Sequence, residues 1–220
     1  MPSAVGIANI ALAAFGSQPI QSFDDATPAG SAVKMIYDNT VDGIFGEYPW
    51  TFARQTLPLD KLAQSVLTDG NLPSGWTNAF ALPETLIGPP LKILANARQP
   101  DGPLQAFEIQ GSTVYTNQLA LWAVGTVRVD ENSWPAYFNN AIIAALAAEL
   151  YPFITGNGPR IAELQRSAYG LPSDNRLGGL LGAARRRDAS QNPSRVLSHN
   201  PLIDVRTSTT DIRASGPIYP

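Results

Sequence analysis

The chain has 220 residues, 44% of them hydrophobic and only 15% charged. That excludes a disordered chain and a coiled coil and leaves enough length to bury a core. With no cysteine and a single histidine, His199, it excludes disulfides, thiolate metal sites and most His-based catalytic sets, so neither an enzyme nor a cofactor is expected. The net charge of −3 is uneven: residues 185–220 carry six arginines against three aspartates, which leaves an acidic body and a basic end suited to an acidic partner.

In chain order, Ser3 caps a helix expected over 3–15, with Val5, Ala8, Leu12 and Phe15 at helical spacing and Gly16 as its stop. Ile7 and Ile10 place apolar groups on a second face of that helix, so they are expected to form a subunit interface. A second helix is expected over 31–48. Val33, Ile36, Tyr37, Val41, Ile44 and Phe45 form its inner stripe, Lys34, Asp38 and Asp42 its wet face, and Pro49 its end. From about 50 to 129 the period changes to two. Strands are expected at 76–82, 91–95 and 119–129, with a hairpin of 107–110 and 113–116 about Gly111-Ser112, all in one small antiparallel sheet. Helical spacing returns over 134–154 and over 159–187, the latter interrupted by Gly170-Leu171-Pro172. The predicted fold class is mainly α: a helical bundle with an inserted small antiparallel β-sheet and an extended C-terminal arm. The body takes 1–188 and the arm 189–220.

The arm has four prolines and no helical or strand period. It forms no core of its own, and its spaced apolar residues Val196, Leu202, Ile203, Val205, Ile212 and Ile218 read as anchors for another surface. No leader is expected, and the apolar run 141–148 is too short to span a bilayer, so no membrane partner is expected.

Few groups point to chemistry. Asp24-Asp25 reads as a solvated or capping pair rather than a metal site. The Gly178–Gly182 spacing reads as close helix packing, and Trp50, Trp76, Trp122 and Trp134 as packing residues. A Ser-His-Asp set would have to use His199 on the arm. The Arg185, Arg186 and Arg187 cluster either contacts phosphates or complements the end of its own helix.

Taken in order, several segments resemble one family. They are Ile7-Ala8-Asn9-Ile10-Ala11-Leu12-Ala13-Ala14-Phe15-Gly16-Ser17-Gln18-Pro19-Ile20, Glu47-Tyr48-Pro49-Trp50-Thr51-Phe52-Ala53-Arg54, and Gly75-Trp76 leading to Ala79-Phe80-Ala81-Leu82-Pro83. The strand pair at 107–116 and the helix 138–150 with its Pro152-Phe153-Ile154-Thr155 ending complete the set. Over about residues 3–190 the chain is similar to the podophage tail tubular protein A family, the head–tail adaptors of short-tailed phages. It departs from that family where Pro172 breaks the helix after Thr155. The resemblance implies a structural virion protein located at the head–tail junction. It implies a homo-oligomeric ring of twelve subunits between the portal protein and the tail nozzle protein, with DNA passing through the lumen without sequence-specific binding. It also implies that the C-terminal arm docks on the portal, which makes Arg185, Arg186, Arg187, Arg195, Val196, Leu202, Ile203, Val205, Arg206, Ile212 and Arg213 the candidate docking residues. The alternative from the residues alone is a nucleic-acid-binding accessory protein using Arg185–Arg187.

Overall fold

Ser3 starts the first helix by accepting the Gly6 N–H on its hydroxyl, satisfying one of the orphan amides of the first turn. The helix, α1, runs Ala4–Ala13, and Gly16 at φ +79° turns the chain out of it. Thr27 caps α2 in the same way through the Gly30 N–H, and Pro28 supplies a first residue whose φ is already helical. α2 is therefore Pro28–Glu47, three residues longer at its start than the apolar stripe indicates. The computed structural model describes residues 3–63, 75–100, 102–156, 158–174 and 177–191.

Between α2 and the next helix lie seven short strands: β1 Arg54–Pro58, β2 Asp60–Lys61, β3 Asn78–Ala81, β4 Lys92–Leu94, β5 Glu108–Gln110, β6 Thr113–Thr116 and β7 Trp122–Thr126. They form two antiparallel sheets, ordered β1-β7-β4 and β2-β3-β6-β5. This overturns the expected fold class. The chain is mixed α/β, 45% helical and 16% strand, with five helices and two small sheets among the described residues, rather than a mainly-α bundle carrying one sheet. The physical reason lies in the edges. β1 is almost wholly exposed and β2 has two exposed residues, so neither carries the alternation by which a half-buried strand is recognised. The apolar run 119–129 contributes only its middle, β7, which is central in one sheet, while β6 is central in the other.

α3 (Ala136–Thr155) is followed by α4 (Ile161–Tyr169), a 3₁₀ turn at Pro172–Asp174 and α5 (Gly179–Ala189). α3 is the centre of the helical layer, packed against α1, α2, α4 and α5. At 20 residues it is long and apolar enough to cross a membrane by length and composition, so shortness is no argument here. Its apolarity is accounted for by burial: Phe138, Ala141, Ile142, Ala145, Leu146 and Leu150 are fully covered by the chain itself. Alanines let the neighbouring helices approach closely.

Two cores result. The larger joins α1, α2, α3 and α5 and ends in an aromatic cluster of Phe45, Trp50, Phe52, Trp134 and Phe138. Trp50 and Trp134 are buried there, their indole N–H groups donating to the Ile44 and Val129 carbonyls. The smaller core lies among the strands: Leu59, Phe80, Ile93, Val114, Leu121 and Ala123.

Candidate interaction surface

The residues singled out in the sequence separate into three groups. Arg195, Val196, Leu202, Ile203, Val205, Arg206, Ile212 and Arg213, together with His199, lie outside the described residues. Ile7 is fully buried in the helical core, because its side of α1 faces α3, so it is corrected from an interface residue to a core residue. Ile10, one turn on, is 54% exposed and remains on the surface.

The arginine cluster lies in the C-terminal half of α5, with Arg186 and Arg187 in its last turn, but does not act as one patch. Arg185 is only 13% exposed and pairs with Glu47 of α2. Arg186 reaches back to the Leu177 carbonyl at 3.4 Å, and Arg187 is exposed. The next residue, Asp188, is fully buried and was not anticipated as structural. Its carboxylate accepts the Thr51 N–H (3.0 Å), the Thr51 hydroxyl (2.7 Å) and the Tyr137 hydroxyl (2.9 Å). One side chain thus ties the end of α5 to the entry of the β region and the start of α3. Burial, and then the bond to Asp188, raise the Tyr137 phenol well above its ordinary pKa.

Asp38 and Asp42 are not left to water. Both bind Arg128, at 2.8 and 3.1 Å, and Glu131 stands 3.6 Å from the same guanidinium. Tyr37 donates to Glu131 at 3.3 Å, and its phenol is also raised, chiefly by burial. The cluster clamps α2 to the segment before α3. Lys34 instead pairs with Asp24 at 2.7 Å, while Asp25 accepts the Gln21 N–H at 2.6 Å, which holds its carboxyl below the usual carboxylate range. Among the described residues no group of three His, Cys, Asp or Glu could hold a metal ion.

One concave feature was missed from the sequence. A groove of about 350 Å³ runs along α2, where Met35, Asn39, Gly43 and Glu47 form a row four residues apart. At 1.5 Å rise per residue that row is about 18 Å long. Glu149 and Phe153 of α3 and Tyr169 of α4 close the opposite side, with the Tyr169 hydroxyl donating to Glu149 at 2.8 Å. Met35 and Phe153 are 64% and 63% exposed, unusual for residues of their size. The row lies between the recognised stripe and the recognised wet face of α2, and its four-residue spacing was the available signal.

No protein-family model matches the chain, and no curated protein matches it.

Proposed function

We propose that this chain is a structural virion protein: a ring-forming head–tail adaptor that joins the portal to the tail nozzle and forms part of the DNA ejection channel. The reading rests on the ordered resemblance over residues 3–190, and the observation that carries it in the structure is the outer face of α1. Ile10, Ala13 and Ala14 are exposed there, and no charged residue occurs anywhere from Ser3 to Phe23. A helix face meant for water carries Lys, Arg, Glu or Asp at roughly a quarter to a third of its positions. An uncharged exposed face with an isoleucine at its centre suits repeated contact between copies. The acidic balance outside residues 185–220 suits a DNA conduit, because like charge keeps a polyanion from adhering to the wall. The nucleic-acid accessory reading gains little, since Arg185 and Arg186 are engaged within the chain.

The test is Ile10→Asp beside Ala13→Glu, two exposed positions where a charge is compatible with the fold. Sedimentation of each variant with portal is expected to lose the assembled species while circular dichroism stays unchanged. Assembly undiminished in both folded variants contradicts the α1 interface.

A further inference from the structure

We infer that the groove between α2, α3 and α4 receives the outer face of α1 from a second copy of this chain, so that copies join head to tail. The inference rests on the reading that the α1 face contacts copies, and it names the surface that face meets. The groove supplies one half of the match. Met35 and Phe153 stand open on either side of it, and a Cβ built on Gly43 meets nothing within 4 Å, so the groove has room for an incoming side chain. A space of about 350 Å³ therefore lies beside two large apolar side chains that are exposed to water.

α1 fits that space in length, shape and charge. Its ten residues span about 15 Å, against the roughly 18 Å of the Met35–Glu47 row. On its outer side Gly6, Ile10, Ala13 and Ala14 fall at three- and four-residue spacing, one isoleucine among small residues. The small residues let the helix backbone approach closely, and the isoleucine is the side chain that enters. No lysine or arginine occurs among the residues lining the groove. Glu47 is paired with Arg185 within the chain, whereas Glu149 is bonded to a neutral group, the Tyr169 hydroxyl. Such a groove disfavours a helix bearing carboxylates, and α1 carries none. Its first turn has no acidic residue to offset the positive end of the helix dipole, which suits Glu149. The occupant is another copy because Ile7, Ala8, Ala11 and Leu12 hold the opposite side of α1 in the helical core, which turns Ile10 outward. Face and groove are unlike surfaces, so their contact is heterologous and leaves each pair one face and one groove with which to continue, as a ring requires.

Crosslinking between single-cysteine variants of the full chain tests this without portal. The chain has no cysteine, so each introduced thiol is the sole one. Ile10→Cys and Met35→Cys, both at positions more than half exposed, are mixed and treated with a short bismaleimide. The heterodimer, told apart by a tag on one variant, is expected to exceed either homodimer at least about tenfold, because docking raises the local thiol concentration. Ala13→Cys mixed with Phe153→Cys is the second pair, with the same expectation. Adding Gly43→Leu to the Met35→Cys variant fills the groove and is expected to remove the excess. Heterodimer at or below the homodimer level in both pairs overturns the inference. So does an Ile10→Cys homodimer that predominates, because the α1 face then pairs with itself. An excess that survives Gly43→Leu, with circular dichroism unchanged, overturns it as well. Portal attachment, scored separately by co-sedimentation, keeps the two readings apart. Heterodimer without portal binding removes the adaptor reading alone, whereas portal binding without the heterodimer excess removes the groove inference alone.

Discussion

Asp188 joins three parts of the structure, the end of α5, the residue that follows Trp50 and the start of α3. A fully buried carboxylate is tolerated only where donors surround it, and here an amide and two hydroxyls do so. Asp188→Ala leaves those donors facing an apolar void and is expected to cost about 2–4 kcal/mol in urea unfolding. A loss below roughly 0.5 kcal/mol, the ordinary range for a surface change, contradicts the assigned role. Tyr37 and Tyr137 give a second outcome at this scale. Both phenols are raised above the unfolded value, so the native state favours the protonated form. Their contribution is fully present below about pH 10, where unfolded tyrosine titrates, and is lost as pH rises past it. Stability is therefore expected to fall from about pH 10 upward, and Tyr37→Phe with Tyr137→Phe to flatten that fall when midpoints are measured against pH. An equally steep fall in the double variant contradicts the assignment.

At the scale of elements, two glycines in helices predict opposite outcomes. Gly43 lies exposed in α2 with open space above it, so Gly43→Ala gains helix propensity of about 1 kcal/mol. Gly182 lies in the first turn of α5, where a Cβ would stand 1.8 Å from the Leu177 carbonyl oxygen. Gly182→Ala is expected to lose roughly 2 kcal/mol or more, because the obstacle is backbone and cannot rotate away. Thermal melts of the pair check both signs, and a gain at Gly182 contradicts the close approach of the α4–α5 link. The same contrast explains what was legible in the sequence. Ser3 and the Gly111-Ser112 turn act through their immediate neighbours, so local residues carry the signal. β1 and β2 owe their existence to partners, β7 and β3, far along the chain, and their own residues are mostly polar and exposed. Whether strands share one sheet or divide into two is likewise a matter of pairing, which alternation alone does not encode.

For the whole molecule, the two cores show why the site was harder to read than the elements. Ile7 and Ile10 look equivalent in sequence, yet α3 covers one and not the other. The Arg185–Arg187 run looks like one basic patch, yet Glu47 takes the first arginine and the Leu177 carbonyl binds the second. The groove exists only because α2, α3 and α4 converge, so Met35 and Phe153, which line it from two separate helices, became recognisable together only in the fold. What remains on the outside is an uncharged α1 face and an acidic, apolar groove close to the end of α5, two surfaces that suit an assembly component. The central claim is that copies of this chain assemble on a portal. Electron microscopy of portal rings mixed with a molar excess of the full chain tests it most directly. The expected result is an added ring of density on one face of the portal, sharing its axis. Bare portal rings beside a folded chain that stays monomeric would contradict the claim.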